Sequence, residues 1–490
     1  MNTVPLLASS LLAWVGISAS SMASQAFDPA PSTVDAGPTD IRPWLADTMP
    51  VTLSGVSDKA SVQKRIDKPG GRYAIHGTIE QAQGMFVLCG DRVSASGLAW
   101  TPQGQWRMVV RDGTLSTWEL SPQEHPWTCD VANDLPGAGP PTDQPAGGVA
   151  GGCEEEHVID VLMVVGYDTY IQMSTMMEDF TTLENEVDVI MEYANLPLIN
   201  SNLDTRFNLV HAILMDSSEA TPTLNQAALT QDGKADWIHP LRDIYGADLV
   251  QVLNVSSGGV AYLPRPNLSD NSVLGFSIAS GLASAMGSPV SNHEIGHNLG
   301  CCHAPGDGGG CESGGYFDYS NGRCFEGKSG TRWNTIMAYD CVSTLAMAFT
   351  SPTVIWDGVP TGVDGSIPGP VEGADNARTI ELLTPMVADY RCNDGICSSL
   401  GLSTTAADCN GNRIPDLCEI AHDPQLDSDQ DGVLDSCTCT YDLNGDGAVN
   451  GGDLAFVLAG WGSTKPDLTG DGTVNGADLA VILAMWDSCP

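Results

Sequence analysis

The chain has 490 residues, with 20 Lys plus Arg set against 61 Asp plus Glu and a formal net charge of -41. So negative a surface repels polyphosphate and anionic lipid and offers neither a basic stripe, which excludes nucleic acid and a charged membrane face as partners. At roughly 150 residues per domain the length predicts about three domains, and the acidity suits cation binding or a saline medium.

In chain order, residues 5–18 form a short apolar run followed by small residues, with cleavage sites ending at Ala23 or Ala26. This reads as a signal peptide over 1–26, although its n-region lacks Lys and Arg; the run is too short for a span of ~20 residues. No later segment is suited to crossing a bilayer, so the mature chain is expected outside the cell without membrane insertion. Fifteen cysteines, few at metal-like spacings, agree with an oxidising compartment. Their odd count leaves at least one unpaired, with Cys89, Cys129 and Cys153 as candidates.

Residues 27–134 show short strand patterns, at Arg72 to Ile79, Met85 to Leu88, Trp106 to Val110 and Thr114 to Leu120, between Gly, Pro and Asp turns. They carry no catalytic constellation and read as a β-rich propeptide. Residues 135–152, rich in Pro and Gly, read as an exposed linker open to proteases. The next domain, 153–392, opens on the buried-strand run Val158 to Val165 and a helical pattern over Phe180 to Tyr193. A strand at Phe207 to Met215, a helix near Trp237 to Tyr245, a strand at Leu249 to Val255 and a short strand at Val260 to Leu263 follow. Interleaved α and β of this kind predicts an α/β (α+β) domain, a twisted mixed sheet backed by helices.

Ser291 to His303 reads SNHEIGHNLGCCH and contains H-E-x-x-H-x-x-G-x-x-H without a mismatch. On a helix, His293 and His297 project from one face and can take two corners of a Zn²⁺ tetrahedron. Gly300 can adopt a positive φ, end the helix and turn the chain so that His303 becomes the third ligand. The fourth position is left for water, and Glu294, next to the first ligand, is the expected general base. Downstream, NTIMAYD over Asn334 to Asp340 matches a Met-turn, with Met337 as an apolar floor beneath the metal.

From Val158 to about Cys392 the chain resembles the metzincin metalloendopeptidases, most closely their reprolysin-like and peptidyl-Asp branches. The stretches that carry this are VIDVLMVV, DTRFNLVHAILMD, DWIHPLRDIYGADLVQVL, GVAYLP, the HEIGHNLGCCH helix, TIMAYD and GADNARTIELL. The resemblance implies an endopeptidase acting on proteins and peptides, an edge strand at Val260 to Leu263 that pairs with an extended substrate, and an active-site role for Tyr339. Ala304 follows the third ligand where adamalysins carry Asp, astacins Glu, serralysins Pro and matrixins often Ser, so no single subfamily is assigned. Six cysteines, 301, 302, 311, 324, 341 and 392, are expected to form three disulfides around the site. Cys89 could fill the open zinc position as an inhibitory switch, or could pair with Cys129.

Residues 393–440 form a Cys-containing linker with two Asp- and Asn-spaced segments, 408–416 and 427–435, like calcium repeats. Over 441–490 two related segments follow, DLNGDGAVNGGDLAFVLAGWG and DLTGDGTVNGADLAVILAMWD. Each has calcium-loop spacing, through Asp442, Asn444, Asp446, Asn450 and Asp453, then Asp467, Thr469, Asp471, Asn475 and Asp478. This small α-helical duplicate resembles a type I dockerin, which implies a cohesin-like docking partner and tethering, as at a cell surface, by a Ca²⁺-ordered tail. The leading expectation is a secreted Zn²⁺ endopeptidase made as a zymogen and cut near residues 147–156. Its rivals are a non-catalytic adhesion or scaffold protein on an old protease fold, and a zinc hydrolase of non-peptide substrates.

Overall fold

The computed structural model describes residues 32–35, 47–111, 114–120, 129–132, 157–177, 179–266, 268–308, 311, 314–339, 344–364, 373–400, 407–427, 432–437, 441–444 and 448–486. The expected signal peptide and the 135–152 linker lie outside these residues, as do Cys153, Cys341 and Asp446. Among the described residues no helix is long and apolar enough to cross a membrane.

The first unit is an antiparallel sheet of eight strands: β1 (Ser32–Asp35), β2 (Thr48–Leu53), β3 (Val56–Lys68), β4 (Arg72–Ile79), β5 (Gly84–Gly90), β6 (Ser94–Thr101), β7 (Gly104–Arg111) and β8 (Thr114–Leu120). Their spatial order is β1-β8-β7-β6-β5-β4-β3-β2. Bonds from Thr117 to the Thr52 carbonyl and from Ser54 to the Glu119 carboxylate draw β8 to β2, curling the sheet. Strand side chains alternate between faces. One face (Met49, Val51, Tyr73, Ile75, Phe86, Leu88, Trp106, Met108 and Val110) makes a core of its own. The other (Ala74, Val87, Cys89, Leu98 and Trp100) joins the core of the next domain.

That domain holds β10 (Val158–Val165), α1 (Tyr167–Met176), α2 (Leu183–Asn200), β11 (Arg206–Leu214), α3 (Leu224–Ala228), α4 (Ile238–Ile244), β12 (Leu249–Asn254), β13 (Gly259–Tyr262), β14 (Phe276–Ser280), α5 (Gly281–Ala285) and α6 (Val290–Asn298). Strands β11, β10, β12 and β14 are parallel, and β13 turns antiparallel against β14. A sixth strand, β9 (Cys129–Ala132), comes from the far side of the expected linker and pairs parallel to β13, with Cys129 opposite Gly259. Parallel strands covered on both faces read as continuous apolar runs. In β10, Ile159, Val161, Met163 and Val165 face α2 and α6, while Leu162 and Val164 face α3 and α4.

Helix α2 starts where the Thr182 hydroxyl accepts from the Asn185 amide. It is fastened to β11 by Asn195, whose side chain accepts from the Phe207 N–H at 2.8 Å and donates to the Phe207 carbonyl at 3.0 Å. At the opposite end of the sheet from the histidines, Asp160 accepts from Asn208 and Asn393, while Asp248 accepts from the amides of Asp160 and Arg391. This ties the first strand to the domain's last residues. Burial pushes the Asp248 carboxyl well above the usual range.

Past α6 come two short hairpins, α7 (Asn376–Val387) and α8 (Asp416–His422). Disulfides join Cys302 to Cys311, Cys397 to Cys418 and Cys409 to Cys437. Cys324 and Cys392 are also disulfide-bonded. Cys301 corrects the expectation of three bridges from six cysteines: it is a buried thiol whose sulfur faces the Asn376 carbonyl. The chain closes with α9 (Gly451–Ala459) and α10 (Gly476–Ala484), packed through Val449, Val457, Val474 and Ile482.

Replacing Asn195 by Ala would leave the buried N–H and C=O of Phe207 unpaired, at ~1–3 kcal/mol for each group left without a partner. A clear fall in the thermal midpoint of the Asn195→Ala protein, by calorimetry, is the expected outcome.

Candidate metal centre

Helix α6 carries the first two histidines and is buried along its whole length. Asn298, at its end, donates to three carbonyls, those of Tyr262, Leu274 and Phe276, and so seats the helix on β13 and β14. Asn292 donates to the Tyr193 carbonyl and holds the opposite side to α2. Gly296 is required by contact: a Cβ there would lie 2.6 Å from the Met337 sulfur, so Met337 sits directly beneath the histidine-bearing turn. At Gly300 φ is +83°, and a Cβ would meet Leu383 at 2.5 Å. Both the turn and the space demand glycine. The chain then brings His303 back, and the Cys302–Cys311 bridge pins it.

The Nε2 atoms of His297 and His303 lie 2.9 Å apart, and those of His303 and His293 3.0 Å apart. Behind each ring a backbone carbonyl receives Nδ1–H: Ile336 for His293 at 2.8 Å, Cys301 for His297 at 2.7 Å and Gly308 for His303 at 2.7 Å. Each Nδ1 thus holds its ring's proton, and three bare Nε2 lone pairs face one another. Burial first, then the neighbouring imidazoles, hold His293 and His297 well below the usual histidine value, so they stay neutral. Converging lone pairs with no proton between them suit a cation, and three imidazoles suit zinc.

A fourth ligand-type atom completes the group. The Cys129 sulfur lies 3.2 Å from His297 Nε2 and 3.4 Å from the Glu294 carboxylate, and Cys129 with the three histidines forms a fully buried set able to hold one metal ion. The expectation of Cys89 as switch is therefore corrected. Cys89 lies on β5, buried near Lys68 and Asp188, where burial pushes its thiol well above the usual range. It is not bonded to Cys129 either. Chain order hid Cys129; the usable signals were its place just before the Pro- and Gly-rich stretch and the odd cysteine count.

Glu294 is buried in α6, against β13, where a Cβ on Gly259 would come within 2.4 Å of its carboxylate. Tyr339 stands edge-on, its ring 4.9 Å from His303 and 5.7 Å from His293. Its hydroxyl donates to the Asp307 carbonyl at 3.1 Å and its amide to the Asp307 carboxylate at 2.9 Å. Asn298, Gly259 and Asp307 are contributors that no motif marks.

In the tail, each twelfth-position carboxylate closes its own loop. Asp453 accepts from the amides of Leu443, Asn444 and Asn450, and Asp478 from those of Leu468, Thr469 and Asn475. These bonds hold both carboxyls below the usual range. Asp467 accepts from the Asp471 and Gly472 amides, and Asn475 donates to Asp471.

Comparison with known proteins gives this geometry a context. Residues 184–304 match the reprolysin-like metallopeptidases of family M12B. A peptidyl-Asp metalloendopeptidase of Stenotrophomonas maltophilia is 28% identical over 221 residues, covering 43% of this chain and 48% of that protein. One from Xanthomonas campestris is 30% identical, with 43% and 47% covered, and one from Pseudomonas aeruginosa 26%, with 45% and 39%. The chain thus spans about half the length of the curated relatives it matches. Among solved structures, metalloproteinase-II from Bacteroides fragilis aligns at a TM-score of 0.33 and 10% identity, over 53% of this chain and 82% of that one.

In the protein freed of Cys129, Gly259→Ala should leave zinc content by atomic absorption unchanged but lower any peptide hydrolysis about a hundredfold, if Glu294 is the reacting group and is displaced by about an ångström. Unchanged turnover would show that Glu294 does not need this close approach.

Proposed function

We propose that this chain is a secreted zinc endopeptidase, made as a zymogen, in which Cys129 is the inhibitory ligand and the C-terminal helix pair a calcium-ordered tether. The observation that carries the reading is the convergence of three bare imidazole nitrogens and one thiol beside Glu294. His293, His297 and His303 would hold the zinc. When bound, it supplies a Lewis acid that acidifies water and polarises a carbonyl.

The protein's own groups do the rest. With Cys129 withdrawn, Glu294 accepts a proton from the attacking water and delivers it to the departing amide nitrogen. Strand β13 offers its outer edge, now filled by β9, to an extended peptide, and so sets the scissile bond in register above α6. Tyr339, freed from Asp307, is placed to donate to the oxyanion. Met337 keeps the underside of the site dry. Peptides containing Asp are the first substrates to offer, following the activity by which the relatives are named. A scaffold that merely kept the fold would have no use for a buried carboxylate beside the ligand cluster.

The tail reading rests on two copies of one loop. Phe456, Leu458 and Trp461 in the first and Leu483 and Trp486 in the second leave large apolar groups exposed around the helix pair, as a docking module for a cohesin-like protein would. Asp442, Asn444, Asp446, Asn450 and Asp453, and their counterparts Asp467, Thr469, Asp471, Asn475 and Asp478, are the proposed Ca²⁺ ligands.

Glu294→Gln is expected to lower peptide hydrolysis by about 10²–10⁴-fold while zinc content stays intact, and a chelator should abolish it. Activated wild-type protein that binds zinc yet cuts nothing in a peptide library would sink the assignment. For the tail, calorimetry should show Ca²⁺ binding to the wild type that is lost when Asp442 and Asp467 are both changed to Ala.

A further inference from the structure

The propeptide sheet does more than deliver Cys129. Helix α2 lies under β4, β5, β6 and β7, and on that side it presents Asn185, Glu186, Asp188 and Glu192, with Asp179 just ahead of it, all buried. Each of the four carboxylates meets cations from the sheet. Arg107, wholly buried, donates Nε–H to Asp179 at 2.7 Å and an Nη2–H to Glu186. Arg72 donates to Asp188 at 2.6 Å and to Asn185 at 3.0 Å. Lys68 bridges Asp188 at 2.6 Å and Glu192 at 2.8 Å. His76 meets Glu192 at 2.7 Å, and Ser96 donates to Glu186 at 2.7 Å. Among the described residues, every ion-pair partner of these carboxylates belongs to the sheet.

Apolar packing supplies the adhesion around this network. Ala74, Val87, Leu98 and Trp100 share a core with Val187, Ile190 and Met191, and Trp100 packs on Trp356 with ring centroids 5.4 Å apart. Gln105 donates to the Tyr193 hydroxyl and to the Gly287 carbonyl. Buried ion pairs add little net adhesion over apolar contact, yet they fix register, and deleting one partner strands the other in the dry interface.

Chain order gives the arrangement its consequence. Cys129 and β9 lie between β8 and the expected cleavage region at 147–156, so they stay with the sheet when the chain is cut. We propose that one cut there leaves a latent two-chain complex, in which the sheet, locked to α2 by the Arg107, Arg72, Lys68 and His76 pairs, keeps Cys129 at the metal site until a second event opens that interface. The proposal rests on the zymogen reading of Cys129. A single thiol ligand is weak by itself; held by a docked sheet it acts at high effective concentration.

To test this, a specific protease site is placed within 147–156 of the full-length, zinc-loaded protein, and the cut material is run on size exclusion at about 0.15 M salt while peptide hydrolysis is followed. Both fragments should co-elute as an inactive complex. Arg107→Met should release the sheet fragment, weakening its retention at least about a hundredfold. Because that change could disturb the sheet's own fold, Asp188→Asn with Glu192→Gln on the helix side is the second variant, with loss of retention again expected. Cut Cys129→Ser should keep its sheet fragment, with β9 still on the β13 edge, yet hydrolyse a short peptide substrate that does not need that edge, which the cut wild type should not.

Separation of the wild-type fragments on cutting would overturn the proposal, as would retention unchanged in both charge variants or a Cys129→Ser complex that falls apart. Should uncut Cys129→Ser be no more active than wild type on that short substrate while the fragments still co-elute and the charge variants release them, the zymogen reading fails and the docked sheet stands.

Discussion

Three imidazole nitrogens stripped of protons and aimed at one point repel one another and suit a cation, and much of the central domain serves to enforce the arrangement. The carbonyls of Ile336, Cys301 and Gly308 choose the tautomer. Met337 presses against the one residue of the HEIGH turn that has no side chain to resist it. Asn298 binds the end of α6 to the carbonyls of Tyr262 and Phe276 on β13 and β14 and of Leu274 in the turn between them. None of these groups would gain from its position if the lone pairs were not meant to be shared.

Helix α2 is the second organising element, because it belongs to two interfaces at once. One side is fastened to β11 and α6 by amide side chains, which suits a permanent contact. The other side carries carboxylates that the domain leaves for the sheet to neutralise. A face held by neutral amides loses little when conditions change; a face held by matched charges depends on its partner staying. The two sides of one helix thus differ in the kind of bond that covers them, the difference on which the proposed release of the sheet depends.

Much of this was legible in the sequence, and the failures share a cause. Strands Arg72–Ile79, Thr114–Leu120 and Val158–Val165 appear at their observed bounds, because apolar runs there are bracketed by turn residues or fully buried. The histidines and Glu294 were legible because helical spacing fixes them within one local stretch. Strand β3 was not, since its thirteen residues are largely polar and exposed and are held by pairing with β2 and β4. The α2 pattern was read from Phe180 to Tyr193, but Thr182 caps the helix later and it runs on through Pro197 to Asn200. Cys129 escaped for a stronger reason. Its partners lie more than 160 positions ahead, reached only through a parallel strand pairing that no local pattern announces.

That pairing also shows where the unit ends. On the proposed zymogen reading, departure of β9 would leave the six-stranded sheet with five strands and a raw border. Strand β13 spans four residues, Gly259–Tyr262. A border so short can hold a passing chain through only a few backbone bonds, too few to grip a second copy of the protein along its length. The same brevity would make each bound peptide easy to let go, which favours an enzyme that samples many chains over one that clings to a single sequence.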